Sequence, residues 1–328
     1  MSNPRSLIAA EVDAHPAEEV VRLRELGDRY CIQKQFDKAS SVYKQALDIC
    51  RTRLEDNHIE TANILERLAT QYKTKTRYKE AELLCAEALR IKRTILSDRH
   101  VSTASTLSNL ADLYQLQGRY DEAEPLRIQA LNVVSTELGD SHLLAGLAAG
   151  NLGSVYKKQG RYTEAALAFS HALVVSSREL GRDANTAIAM ANLAGVHKAL
   201  GDYSEAEKLY LQALDIHQAE GRTANTAISL GNLAGLYEAQ NRYSEAESLY
   251  LQSLEIHQET VGDRHPNTAT SLFNLAVLYR HTQKHYQALF FIQQALAIYR
   301  LVLGACHPKT QVARSWLQGI QVAIDSTH

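Results

Sequence analysis

Turn-forming residues are scarce, with 16 Gly and 5 Pro in 328 residues, about half the usual share. A sandwich or barrel needs a Gly- or Pro-bearing turn about every ten residues, so an all-β fold is excluded. Neither sign of charge is in excess: 35 Lys and Arg face 37 Asp and Glu, a net charge of −2. No run of four or more basic residues occurs, which removes the electrostatic footprint of a non-specific nucleic-acid binder and of a polybasic membrane-surface segment. No apolar stretch approaches the ~18 residues of a membrane span; the longest, around Leu143–Gly150, is short and interrupted by Gly. Cys31, Cys50, Cys85 and Cys306 form no CxxC pair and no regular framework, as expected of reduced thiols. Met1–Pro16 has no apolar segment of the signal-peptide kind. A cytoplasmic protein is expected. What is plentiful is Ala, Leu, Glu and Gln, all good helix formers, and 45% hydrophobic residues supply enough core to rule out intrinsic disorder.

The chain repeats itself. Phe36, Tyr78, Tyr120, Tyr162, Tyr203, Tyr243 and His285 occupy one column, spaced by 42, 42, 42, 41, 40 and 42 residues. Ten residues before each anchor stands Leu26, Leu68, Leu110, Leu152, Leu193, Leu233 or Leu275, followed in every repeat by Gly or Ala. Three residues after each anchor is Ala: Ala39, Ala81, Ala123, Ala165, Ala206, Ala246 and Ala288. An Ala–Leu pair recurs ten and eleven residues after the anchor, with Ser253 the exception at the small position.

These columns have a direct physical meaning. Leu110, Leu113 and Tyr114 are three and four residues apart and share a helical face. Ala123, Arg127, Ala130 and Leu131 do the same on a second helix. A small residue on each helix lets two backbones approach closely while Leu and Tyr fill the flanking grooves. Gln117-Gly118-Arg119 reads as the turn between them, with Gly as the helix stop. Pro125 is expected in the first turn of the second helix, where backbone N–H groups lack intrahelical partners. The expected architecture is all-α, with seven helix hairpins over residues 16–306, each burying its apolar face against the next. A short extension precedes them (1–15), and a capping helix and tail follow (307–328). Repeats five and six, over Ala184–Gln218 and Ala224–Gln258, match at 23 of 35 positions, as a recent duplication would leave them.

The motifs Asn109–Leu126 (NLADLYQLQGRYDEAEPL) and Val261–Tyr279 (VGDRHPNTATSLFNLAVLY) resemble tetratricopeptide repeats in the 42-residue form of the kinesin light chains and their bacterial relatives. The resemblance implies a right-handed superhelical solenoid and a stand-alone repeat protein of bacterial type. Such repeats are generic binding scaffolds, so it implies protein or peptide partners rather than chemistry.

Eleven residues before the anchor, five repeats place Asn109, Asn151, Asn192, Asn232 and Asn274, a column that faces the concave groove in the resembled family. The first two repeats have Glu25 and Arg67 there, and the final helix has Trp316. Ser108, Gly150, Ala191 and Gly231 precede the Asn, and Ser154, Gly195 and Gly235 follow it by three, leaving room for a ligand backbone. An Asn amide offers one acceptor and two donors, suited to the C=O and N–H of an extended peptide; each Asn could equally bridge neighbouring helices. Lys157, Lys158, Lys198 and Arg280 lie just beyond, and the resemblance implies an acidic segment as ligand. A regulatory subunit docking or self-associating through convex or terminal surfaces is the alternative. An RNA-binding helical repeat is disfavoured by the neutral charge.

No catalytic, cofactor-binding or metal site is expected. G-x-x-x-x-G-K-[ST], G-x-S-x-G and H-E-x-x-H are all absent. His58, His100, His142, His265 and His307 share one column, but stacked repeats hold equivalent residues about 10 Å apart, too far for a shared ion with ligands at ~2 Å. Helix entry is the expected role of this column.

Overall fold

The computed structural model describes residues 16–54 and 57–326; the extension expected over 1–15 lies outside the described residues. Among these every regular element is a helix, and the chain divides into two compact units, Met1–Gln159 and Gly160–His328. In the first unit α1 (Pro16–Ile32) packs on α2 (Phe36–Arg53), α3 (Ile59–Thr74) on α4 (Tyr78–Leu96), and α5 (Val101–Leu116) on α6 (Tyr120–Leu138), with α7 (Leu143–Lys158) closing the series on α6. In the second, α8 (Tyr162–Glu179) packs on α9 (Ala184–Leu200) and α9 on α10 (Tyr203–Ala219). The series continues with α11 (Ala224–Ala239) on α12 (Tyr243–Val261), α13 (Pro266–His281) on α14 (His285–Val302), and α15 (Pro308–Asp325) on α14. Most contacts run between sequence neighbours, with smaller ones joining α1 to α3, α9 to α11 and α11 to α13, as expected when each hairpin stacks on the next.

The small-residue columns are the seams of this stack. All seven Ala residues three after the anchor are inaccessible to solvent. Gly27 shows why: a methyl group there would come within 2.4 Å of the Tyr43 ring, and Tyr43 is fully buried. Ser253, at the small position of α12, donates to the Ala227 carbonyl (2.7 Å) and faces the Ser271 hydroxyl at 3.1 Å. Its polar atom is therefore satisfied where Ala would have none.

The hairpin turn keeps one backbone shape whatever residue fills it. Two residues before the anchor, φ is positive at Lys34, Thr76, Gly118, Gly160, Gly201, Asn241 and Gln283, between 58° and 82°. Only three of these are Gly, so the sequence exposes fewer than half of these stops. Thr is the costly occupant, because a β-branched side chain crowds the left-handed region.

The histidine column caps helices. Nδ1 of His58, His100, His142, His265 and His307 accepts a hydrogen bond from the backbone N–H two residues on, at 3.0–3.2 Å. Asp183 and Thr223 take over where the histidine is missing, accepting from Thr186 N and Thr226 N. Two other histidines are buried: His217 meets the Ser229 hydroxyl at 2.7 Å and His257 that of Ser271 at 2.9 Å.

Charged latches tie three of the turns to the preceding hairpin. Arg119 stacks on Tyr114 (4.1 Å) and pairs with Glu82 (2.7 Å) and Glu122 (2.6 Å). Arg242 stacks on Tyr237 (3.7 Å) and pairs with Glu207 (3.2 Å) and Glu245. Lys284 repeats the arrangement with Tyr279 and Glu247. Pro125 departs from expectation: it is not in the first turn but is the sixth residue of α6. A proline there leaves the Asp121 carbonyl without its ordinary helical donor, and the helix still runs on to Leu138.

Three outcomes follow from these contacts. Thr76→Gly relieves the left-handed strain and should raise stability by about 0.5–1 kcal/mol in a urea titration, a loss showing instead that the turn is unstrained. His265→Ala should cost about 0.5–2 kcal/mol, and His265→Asn should restore most of it; equal losses would deny the cap. Burial, with His265 adding to it, holds the His257 imidazole below its ordinary value of 6.5, while a backbone hydrogen bond at Ala224 opposes the shift. The unfolded chain therefore takes up this proton before the native one does, and stability should fall as pH drops below about 6.5. Urea titrations between pH 8 and 5 should show a shallower acid limb in His257→Gln than in the parent.

Candidate functional site

The first helix of each hairpin has one face that no neighbour covers. On α9 and α11 this face carries a large aliphatic residue four positions before each Asn: Ile188 and Asn192, Ile228 and Asn232. Positions i and i+4 lie one above the other on a helix, so the two side chains share the surface. Ile188 is 47% exposed and Ile228 45%. On α7 the same pairing joins Leu147, 59% exposed, with Asn151. These aliphatic residues stand outside the candidates legible in the sequence above, although their i, i+4 spacing from the Asn column marks them.

Each unit has a cavity on this face. In the first, a cavity of about 190 Å³ between α5 and α7 is lined by Ser105, Ser108, Leu144, Leu147 and Asn151 among others. In the second, one of about 340 Å³ opens beside Asn274, lined by Thr270, Phe273, Tyr299, Pro308, Lys309 and Val312. Thr270, Phe273 and Asn274 stand in the same columns as Ser105, Ser108 and Asn109.

Asn109 and Asn151 lie in the first unit, Asn192, Asn232 and Asn274 in the second. Asn151 is exposed, and the other four are half-buried. None of the five amides makes a hydrogen bond to another described residue, so among the described residues they do not bridge helices. Asn109 lines a small cavity together with Glu66, Thr70 and Lys73.

The basic residues are placed less uniformly. Lys157 is half-buried and Lys158 exposed at the end of α7. Lys198 turns inward: its ammonium donates to the Gly235 carbonyl at 2.7 Å, and burial lowers its pKa while Glu238 partly opposes the shift. A methyl group on Gly235 would come within 3.3 Å of Lys198 Nζ and of the Tyr250 hydroxyl, so the space expected there for a ligand backbone is already occupied. Glu238 accepts from the Tyr250 hydroxyl at 2.9 Å and lies 2.8 Å from His281 Nδ1. Arg280 lies over the Trp316 ring at 4.7 Å, and Phe273 meets the same ring edge-on at 5.8 Å.

In the first three hairpins the corresponding face is an ionic network. Arg24 pairs with Glu60 (3.0 Å), Arg67 with Asp28 (2.8 Å), and the buried Lys92 with Glu66 (2.8 Å). Asp112 takes both Lys73 and the buried Arg127. No group of three or more His, Cys, Asp or Glu is arranged to hold a metal ion among the described residues, and none of their helices is long and apolar enough to cross a membrane.

Comparison with known proteins accords with this architecture. No curated protein sequence matches the chain. Among solved structures, the nearly identical TPR-like repeats of a Podosopora anserina protein assigned as a kinesin light chain are 23% identical, cover 63% of this chain and 99% of that one, and superpose with a TM-score of 0.56. BtubC (BKLC) from P. vanneervenii is 20% identical over 75% of this chain and 92% of its own, with a TM-score of 0.55. A tetratricopeptide repeat protein from Parabacteroides merdae is 16% identical over 93% and 99%, with a TM-score of 0.66. The tetratricopeptide repeat family itself matches residues 20–94, 102–173, 168–219 and 223–300, and with the same period, buried columns and helix hairpins the chain belongs to that family.

Proposed function

We propose that the protein is a non-enzymatic scaffold in which the first helices of each unit hold an extended segment of a partner protein. The observation that carries this is the set of Asn amides, Asn109 and Asn151 in the first unit and Asn192, Asn232 and Asn274 in the second, bonded to no described residue. Each can exchange hydrogen bonds with a passing backbone, and the exposed aliphatic residues beside them give the same segment apolar contact. Kinesin light chain-like repeats are among its structural neighbours, which supports the choice of a protein ligand over a small molecule. The support for an acidic ligand rests on Lys158, exposed at the end of α7, because Lys198 and Arg280 are engaged within the protein. A net charge of −2 speaks against nucleic acid as ligand, and the reduced-thiol cysteine pattern fits a cytoplasmic setting.

A regulatory role through the outer surface has one observation in its favour. Phe290 and Leu301 share a face of α14 and are 60% and 67% exposed, an apolar surface that a partner could cover.

The two roles separate in a capture experiment with the full chain as bait. Replacing Asn151 and Asn192 by Ala should weaken recovery of the partner by about 1–3 kcal/mol per lost pairing, with thermal unfolding unchanged because no core column is touched. Phe290→Ser should leave capture intact. The opposite pattern would move the site to the outer face of α14.

A further inference from the structure

The last hairpin turns an apolar face to solvent. Tyr286, Phe290, Gln293, Ala297 and Leu301 follow one another on α14 at intervals of four, three, four and four residues, which places them on one side of the helix in a stripe about 22 Å long. All five are exposed, Tyr286 to 65%. In the same columns α12 carries Ser244, Ser248, Leu251, Glu255 and Glu259, and α10 carries Ser204, Lys208, Leu211, Asp215 and Ala219. Those are ordinary solvated faces; on α14 their serines and most of their charges give way to aromatic and aliphatic side chains. No Lys, Arg, Asp or Glu occurs from His285 to Tyr299. A single exposed apolar residue needs no partner, but a contiguous uncharged stripe marks a surface that another molecule covers.

The stripe is complementary to itself. Phe290 and Ala297 are the large and the small residue at its middle, seven positions apart and close to one line along the helix. When a second α14 lies antiparallel, with a two-fold axis between Gln293 and Gln294, each Phe290 falls on the Ala297 of the other copy. A large side chain then fills the space over a small one, twice. The same operation brings Tyr286 toward Leu301 at either end and sets the glutamine amides, each with one acceptor and two donors, around the axis. A parallel pair would set Phe290 against Phe290 and leave a gap between the two Ala297 residues. Antiparallel packing also opposes the two helix dipoles.

Charge and area both fit a second copy of this chain. A stripe without charge offers a charged partner nothing to pair with, whereas its own copy brings no like charge against it. The two aromatic rings present about 150 Å² each at these exposures, and with Leu301, Ala297 and the glutamines the stripe offers about 500–600 Å². A symmetric pair therefore buries about 1,000–1,200 Å², at the lower edge of specific interfaces, which sets the dimer in equilibrium with the monomer. We propose that two copies of this chain pair through α14, antiparallel about a two-fold axis between Gln293 and Gln294. This rests on the outer-surface reading of α14 and not on the groove.

The test is sedimentation velocity of the full chain over concentrations from about 1 to 100 µM, the range in which an interface of this size dissociates. The weight-average mass should rise from that of a monomer toward that of a dimer. Phe290→Lys alone and Ala297→Glu alone should each weaken association at least tenfold. The double variant Phe290→Lys/Ala297→Glu should recover most of it, because each Lys then meets a Glu of the other copy, at two places. Circular dichroism melts should be unchanged, since both positions are exposed. A chain that stays monomeric throughout, single variants that associate as the parent does, or a double variant no better than the single ones would each overturn the proposal; the last is also the result that parallel pairing would give. A monomeric chain that captures a different protein through Phe290 would assign the face to that partner and overturn it as well. The groove is read separately, from capture by the Asn151→Ala/Asn192→Ala chain, whose self-association should match that of the parent.

Discussion

A hairpin of two amphipathic helices cannot hide both of its apolar faces by itself, and the whole arrangement depends on how closely the next hairpin can approach. Small residues set that distance. Where Ala or Gly stands at the seam, backbones come together and Leu or Tyr fills the flanking space; the pairing of Gly27 with the fully buried Tyr43 shows how little slack remains. First and second helices alike pack on a neighbour at either side, and each retains an exposed face.

Polar groups are spent in a consistent order. Backbone ends are satisfied first, by histidine, aspartate or threonine at the start of the first helices. Long basic side chains of the turns then reach back to carboxylates of the preceding hairpin while lying on a tyrosine ring. A guanidinium stacked and doubly paired in this way is held in one geometry, which makes such pairs worth more than isolated surface ion pairs. The asparagine row bonds to no described residue, and, unlike the buried Nε2 atoms of His217 and His257 that also lack a partner, these residues keep part of their surface in water.

The two units use this shared framework differently. In the second hairpin Arg67 stands for the asparagine and Glu66 for the small residue before it, in the third Asp112 stands for the small residue after it, and these charges are absorbed in a network with Asp28, Lys92, Lys73 and Arg127. The second unit has small residues, aliphatic side chains and amides, with its few charges turned toward one another or toward aromatic rings. One period in sequence therefore gives an ionic surface over the first three hairpins and an apolar, amide-bearing one on α7 and in the second unit.

The amino-acid sequence by itself determined the helices, their pairing and the identity of the seams. The physical reason is that a strict 42-residue period, combined with the 3.6-residue turn of the helix, assigns each column to a face without reference to anything distant. The asparagine row was legible for the same reason, as was helix entry at the histidine column. Tertiary structure alone decided where long side chains end. Lys198 and Arg280 read as groove cations along the chain, yet one reaches a carbonyl on the next hairpin and the other a tryptophan on the final helix. The left-handed turns at Lys34, Thr76, Asn241 and Gln283, the exposed Ile188 and Ile228 and the cavity beside Asn274 were hidden for a related reason. Periodicity says which way a residue faces, whereas whether that direction meets solvent, a neighbour or a void depends on side chains contributed by other repeats.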